Sequence, residues 1–274
     1  MKVGIAGCAG RMGRTNLREV LETPGVELAG GVERPGHEAV GRDLGELAGL
    51  DPVGLVAGED FAALAGTSEV IIEFSTPEAT LEHARICAAR GCAHVIGTTG
   101  LSPAQEEELR QLAHRIPVLW APNMSQGVNL LLVLAEQVAR ALDAGFDIEV
   151  LEMHHRHKVD APSGTALALG RAAARGRGIA FEDHRIATRW GQTGPRPEGR
   201  IGFAVLRGGD VVGDHSVIFA GAGERIELTH RAGDRRIYAR GAVRAARWLA
   251  GRAPGLYDMA DVLGLRGGGE RISS

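Results

Sequence analysis

The sequence predicts an α/β protein: a doubly wound parallel sheet followed by a second, α+β domain. Three observations predict it. Short apolar runs alternate with helical patterns through the first half of the chain. A glycine-rich turn, GCAGRMG at 7–13, follows the first of these runs and opens the first helical pattern. After residue 200 the pattern changes to apolar–polar alternation between Gly-rich turns, as in an antiparallel sheet. At 274 residues the chain is long enough for one large domain or two smaller ones, each with its own core.

KVGIAG (2–7) reads as a buried strand, and Arg14 to Glu22 as a helix stopped near Pro24 and Gly25. VELAGGVE (26–33) and SEVIIEFS (68–75) are further strands, the second followed by a helix from Pro77 to Arg90. AHVIGTTG (93–100) follows. Residues 102–115 then read as a helix with Ser102 as its cap, Pro103 at the first position and acids in the early turns. IPVLWAPN (116–123) closes the series. Residues 127–142 form a long apolar helix, FDIEVLEMHH (146–155) a strand, and 163–174 a helix. The alternating stretch 200–232 comes next, then helical segments at 236–251 and 255–265 and a Gly- and Ser-containing tail, 266–274, expected to be disordered. The turn-rich stretch 191–199 is long enough to be a lid or substrate loop.

The net charge is −3, which argues against a whole-protein nucleic-acid binder. Cys8, Cys87 and Cys92 form no C-x-x-C and no even set, which fits a reducing compartment. The N-terminus lacks a long apolar core, and no stretch reaches membrane-spanning length. The expectation is a cytoplasmic protein with no membrane partner.

The glycines Gly7, Gly10 and Gly13 form a relative of the dinucleotide fingerprint, with Ala9 where a middle glycine can stand. Such glycines let the backbone approach a pyrophosphate, which also meets the N–H groups and dipole of the following helix. The glycine turn is therefore a candidate pyrophosphate site on a Rossmann-like sheet. Glu33, twenty residues beyond Gly13 at the end of the second strand, can accept from the adenosine ribose and favour NADH. Arg34 can pair with the 2′-phosphate of NADPH, so the adjacent acid and base predict NADH or NADPH. The plainer alternative is a tight turn beside a solvated Glu–Arg pair. Gly97, Thr98 and Thr99 follow one strand, and Ala121, Pro122, Asn123 and Met124 another. Both loops fall where a doubly wound sheet binds ligands and suit the nicotinamide end, although turn chemistry alone accounts for GTTG taken by itself.

EMHHRHKVDAPSGTALAL (152–169) concentrates three histidines, an arginine and a lysine in five positions. Neighbours on a strand point to opposite faces, the spacing is not H-E-x-x-H and no cysteine pair accompanies it, which argues against a metal. A short basic run without interleaved aromatics is weak evidence for nucleic acid, and a solvated charged face is the usual alternative. The sequel favours an anion pocket. Asp160 or Ser163 can cap a helix whose first N–H groups, near Gly164 and Thr165, meet the positive charge of Lys158 and the histidines. A His or Lys there can also deliver a proton, because crowding by cations lowers its pKa.

GCAGRMGR, GTTG, APNMSQGVN, RGGDVVGDHSVIF (207–219), GLYDMADVLGL and above all EMHHRHKVDAPSGTA together resemble the dihydrodipicolinate reductase family, from the first strand to about Leu265. The resemblance implies NADH- or NADPH-dependent reduction of the cyclic dicarboxylate 4-hydroxy-tetrahydrodipicolinate, on the diaminopimelate route of lysine biosynthesis. It implies His154 as the acid/base group and Lys158 as the proton donor, with His155, Gly164 and Thr165 binding a substrate carboxylate and Gly7, Cys8, Ala9, Gly10, Arg11 and Met12 holding the cofactor's pyrophosphate. Arg235 is a weaker match for a further substrate contact. Cys8 stands where many relatives have a small apolar residue, and its oxidation would be a liability. The implied domains are 1–125 with 236–274 for the dinucleotide, and 126–235, with an open mixed sheet, for substrate binding and assembly into a homotetramer. A dehydrogenase of another small polar substrate and a nucleotide-responsive binding protein without turnover remain alternatives.

Overall fold

The computed structural model describes residues 1–187 and 189–265, so the expected disorder of 266–274 lies outside the described residues. The chain forms two compact units, Met1–Gln126 with Arg236–Ser274, and Gly127–Arg235.

The first unit is built on β1 (Lys2–Ala6), α1 (Arg11–Glu22), β2 (Glu27–Val32), α2 (Leu44–Leu47), α3 (Phe61–Thr67), β3 (Val70–Glu73), α4 (Pro77–Arg90), β4 (Ala93–Ile96), α5 (Pro103–Ala113) and β5 (Pro117–Trp120). Its six-stranded sheet has the order β2-β1-β3-β4-β5 and then a strand from the chain's end, with every pairing parallel. The central strands are buried almost throughout, as expected of a parallel sheet covered on both faces. Val3, Ile5, Val70, Ile72, Val95 and Leu119 pack in one core with Leu17 and Val20 of α1. The alternate residues Ala6, Ile71, Ile96 and Val118 pack in the other with Leu64, Leu81, Ala84 and Leu109. Two glutamate- and histidine-bearing positions interrupt this apolar sheet, Glu73 and His94.

The chain leaves β1 for β2 on one side and returns to β3 on the other, so the sheet's switch point lies at the carboxyl end of β1. The glycine turn sits there, and α1 begins three residues earlier than its apolar pattern implied. Ser102 caps α5 through a full capping box with Gln105. The short helices α2 and α3 were not foreseen; Asp43 and Asp60 cap them by accepting backbone N–H groups.

The second unit contains α6 (Gln126–Ala141), whose body lies within it, β6 (Asp147–His154), α7 (Gly164–Arg177), α8 (Phe181–His184), β7 (Arg185–Ile186), β8 (Ile201–Arg207), β9 (Gly213–Gly221) and β10 (Glu224–Ala232). Its sheet order is β10-β9-β6-β8-β7. The sheet is mixed: β6 is antiparallel to β9 but parallel to β8, because the long connection through α7 brings β8 back in the same direction. Leu131, Ala135, Leu169, Ala173, Val150, Phe203 and Phe219 form its core. The 191–199 loop is pinned just before its start and within it: Arg189 donates to both carboxylate oxygens of Glu149 (2.8 and 2.7 Å), and Arg196 to Glu149 and Asp147 (2.9 and 2.6 Å).

The chain then supplies the first unit with α9 (Arg236–Leu249), β11 (Gly255–Tyr257) and α10 (Met259–Val262). The helical reading of 255–265 holds only for α10. Leu256 instead pairs beside Val118 as the sixth strand, because the open edge of β5 offers unpaired backbone groups.

Candidate functional site

In the first unit the glycine turn joins β1 directly to α1. Gly7 adopts φ +66°, a left-handed conformation that glycine takes without strain. A Cβ on Gly13 would stand 1.9 Å from the Gly7 carbonyl oxygen, so only glycine lets α1 start this close to β1. Gly10 caps α1 with no side-chain hydrogen bond, and no acid lies in the first turn. The leading N–H groups and the positive end of the helix therefore face no internal anion, which fits the pyrophosphate of a dinucleotide. Arg14 braces the turn by donating to the Ala9 carbonyl at 2.8 Å.

Glu33 accepts the Ala9 N–H at 2.8 Å and the Arg34 N–H at 3.3 Å, so its carboxylate is fastened to the glycine turn. Arg34 is exposed beside it. Cys8 is fully buried, and burial followed by the nearby Glu33 charge pushes its thiol up to about 12. Burial and the raised thiol both disfavour the thiolate that oxidants attack.

The two further loops divide between surface and interior. Thr99 and Pro122 are exposed and Asn123 half-buried, with its Oδ1 accepting the Ser125 N–H at 2.8 Å. Thr98 and Met124 turn inward; Met124 lies in the core, and its carbonyl is so close to α9 that a Cβ on Gly241 would approach it to 1.7 Å. Their side chains are therefore withdrawn from a ligand.

In the second unit the cation cluster divides at the end of β6. Ile148, Val150, Glu152 and His154 alternate onto the buried face, and the strand then stops. A turn closes with the Lys158 N–H donating to the His155 carbonyl at 3.1 Å, leaving Arg156 and His157 exposed. His154 Nδ1 lies 2.6 Å from Glu152 Oε2. The other Glu152 oxygen accepts the Ser163 N–H at 2.9 Å, and Arg207 donates to both oxygens, at 2.7 and 3.0 Å. Burial works to raise the Glu152 carboxyl, but Arg207, His154 and the Ser163 amide outweigh it and hold it below the ordinary carboxylate range. A carboxylate only accepts, so Glu152 takes its hydrogen bond from Nδ1–H and leaves Nε2 uncommitted to it.

Ser163, not Asp160, caps α7, its hydroxyl accepting the Ala166 N–H at 3.1 Å. Asp160 instead accepts from Lys158 Nζ at 2.8 Å. Gly164 opens the helix on the exposed side, Thr165 follows half-buried, and the first turn carries no acid. His215 reaches from β9 to place Nε2 2.9 Å from the Ser163 hydroxyl, with its ring edge-on to His154 at 5.0 Å. Burial, then the neighbouring His154, lowers His215 to about 4, so it is neutral at pH 7. His155 is lowered too, by burial first and then by Arg235 and the adjoining cations.

Glu152 thus ties His154 to Ser163 at the start of α7, next to Gly164 and Thr165, while His155 and Lys158 share the turn that follows β6. Ser163 was one of the two caps the sequence offered, whereas Glu152, Arg207 and His215 were not singled out there. Glu152 was within reach, two residues before His154 and so on the same strand face. Arg207 and His215 arrive from other strands and leave no local signal.

Comparison with known proteins agrees over both units. The family described as "Dihydrodipicolinate reductase, N-terminus" matches residues 1–124, and "Dihydrodipicolinate reductase, C-terminus" matches 127–263. A protein of Rhodopseudomonas palustris (strain BisB18) named 4-hydroxy-tetrahydrodipicolinate reductase is 54% identical over 97% of this chain and 98% of its own length. The protein of that name from Afipia carboxidovorans is 55% identical, covering 97% of each. Among solved structures, a dipicolinate-bound dihydrodipicolinate reductase from Paenisporosarcina sp. TG-14 shares the fold, with a TM-score of 0.76, 24% identity and coverage of 95% of this chain and 98% of that one.

Proposed function

This chain belongs to the dihydrodipicolinate reductase family, and from that premise we propose how its two clusters share the work of an NAD(P)H-dependent 4-hydroxy-tetrahydrodipicolinate reductase. It reduces a small cyclic dicarboxylate in the diaminopimelate route of lysine biosynthesis. The observation that carries the assignment of roles is the single carboxylate, Glu152, that holds both His154 Nδ1 and the Ser163 N–H at the head of α7.

The residues of the glycine turn, Gly7 to Met12, hold the pyrophosphate. Glu33 and Arg34 stand at the adenosine ribose, and Gly97 to Thr99 with Ala121 to Met124 form the nicotinamide end, where Thr98 and Met124 contribute backbone. When bound, the reduced nicotinamide supplies the hydride. Gly164 N–H, Thr165 and His155 bind a substrate carboxylate, a task suited to a helix start with no acid of its own. Loss of water from the 4-hydroxy substrate leaves a conjugated imine, and hydride addition to its ring carbon pushes electron density toward the ring nitrogen. Lys158 Nζ, released from Asp160, delivers the proton that quenches it, and His154 Nε2 exchanges a proton as acid or base while Glu152 steadies the imidazolium. Arg235, which acts electrostatically on His155, is placed to add positive charge for a second carboxylate.

We further propose a homotetramer assembled through the second unit's sheet, whose Leu151, Met153, Ala204, Leu206 and Ile218 form a part-exposed apolar face opposite the core. We place it in the cytoplasm, where its three free buried cysteines stay reduced, with no nucleic-acid or membrane partner. No described helix is long and apolar enough to cross a membrane.

A coupled assay with freshly generated substrate, following oxidation of NADH and of NADPH, tests the roles. Lys158→Ala should lose turnover at least about a hundredfold while NADH binding stays intact. Undiminished turnover would remove Lys158 from the chemistry.

A further inference from the structure

The central strands of the first unit's sheet hold a fully buried carboxylate, Glu73, beside a fully buried imidazole, His94. Apolar residues would fill these positions of a doubly covered parallel sheet more simply, and an ionised group there is tolerated only with its hydrogen bonds complete. Those bonds are present. Glu73 Oε2 lies 2.7 Å from His94 Nε2, and Oε1 lies 2.9 Å from His83 Nδ1. The Thr80 hydroxyl donates to Oε1 at 3.2 Å, and the Ser75 hydroxyl also donates to it. His83 is itself clamped by Phe61, stacked at 3.8 Å. Burial works to raise the Glu73 carboxyl, but the two imidazoles outweigh it and keep it ionised.

From the carboxylate the network runs outward to the cofactor loops. Thr80 and Thr98 are joined hydroxyl to hydroxyl at 2.8 Å, and the Ser75 N–H donates to the Thr98 hydroxyl at 3.0 Å. The Thr98 carbonyl accepts from the Trp120 indole at 3.1 Å, and the Gly97 N–H donates to the Glu73 carbonyl at 2.8 Å. Between these anchors lies Phe74. Its ring comes within 2.2 Å of where a Cβ on Gly97 would stand, and its carbonyl within 3.3 Å of where one on Gly7 would stand. Phe74 therefore fills the space between the glycine turn and the Gly97–Thr99 loop.

We propose that Glu73, with His83, His94 and Thr80, is a positioning network: it fixes Phe74, Ser75 and Thr98 so that the floor joining the two dinucleotide-binding loops is formed before the cofactor arrives. None of the four need touch the cofactor; they act through the segment they hold. A preformed floor spares the cofactor the ordering of two loops, so the network acts on dinucleotide affinity and not on the chemical step. The inference rests on the reading of those loops as a dinucleotide site.

Thr80→Val tests it, because the change keeps shape and charge and removes only the hydroxyl joining Glu73 to Thr98. The purified full-length variant should bind NADH about tenfold more weakly by fluorescence titration, with KM for NADH raised equally. kcat at saturating NADH and KM for the dicarboxylate should stay within about twofold. Glu73→Gln should weaken NADH binding at least as much; if that variant does not fold, Thr80→Val decides alone. A lowered Tm with unchanged NADH affinity in Thr80→Val would overturn the proposal and leave the network a plain stabiliser of the core. Wild-type protein that bound neither NADH nor NADPH would overturn the cofactor reading itself, and the proposal with it.

Discussion

Protonating His215 should unfold the second unit more readily, and the structure sets the size of the effect. Its ring is 5% exposed, Nε2 is engaged with Ser163, and Nδ1 is sealed with no partner among the described residues. A proton added at Nδ1 would have neither water nor an acceptor, and the charge would sit beside His154. The folded pKa is accordingly lowered from 6.5 to about 4. Between those values the unfolded chain binds the proton and the folded chain does not. Stability is therefore full above pH 6.5, falls as pH drops through the window, and levels below pH 4 as far as this group is concerned. A shift of about 2.5 pH units at 1.36 kcal/mol each corresponds to roughly 3 kcal/mol, good to about a factor of two. Urea denaturation of wild type and His215→Gln at intervals from pH 7.5 to 4 would measure it. Glutamine keeps a hydrogen bond for Ser163 but cannot ionise, and every other titrating group is common to both proteins. The variant should be slightly less stable at pH 7.5 and should gain roughly 3 kcal/mol on wild type by pH 4. Parallel loss of stability in the two proteins would refute the account of His215 as a buried neutral imidazole.

Three other outcomes follow from the same geometry. Glu152→Gln keeps the shape but offers His154 Nδ1 an amide donor where a carboxylate accepted, so kcat should fall about 10- to 100-fold with an altered pH profile; an unchanged profile would deny Glu152 its orienting role. Gly13→Ala drives a methyl group into the Gly7 carbonyl, and NADH titration should show binding lost or weakened at least about a hundredfold, with a lower Tm. Glu33→Gln removes the negative charge that would face a 2′-phosphate, so the ratio of kcat/KM for NADPH to that for NADH should rise about tenfold; an unmoved ratio would take Glu33 out of cofactor choice.

The parallel sheet was legible because its strands are apolar on both faces and its helices carry their own caps, as at Ser102. The glycine turn was legible because Gly13 answers a backbone contact only a few residues away. Two kinds of feature were not. Short elements such as α2 and β11 depend on a partner that sequence periodicity does not reveal: β11 is a strand only because the edge of β5 is open. Polar groups inside the sheet, Glu73 and His94, look like interruptions of an apolar pattern until they are seen to bond each other, with His83 and Thr80 adding bonds to Glu73.

By itself the sequence determined which chemistry is available: a helix start without acid after a glycine turn, and imidazoles and an ammonium beside a second helix start. These are local properties, because dipoles, caps and strand parity act over a few residues. Tertiary structure alone decided which nitrogen of His154 is held. That choice rests on Glu152, whose charge is kept by Arg207 from 55 residues away, and on His215, 52 residues beyond the serine it meets. Hydrogen bonds between separate strands set proton positions through distance and burial, and neither quantity is written in the order of the residues.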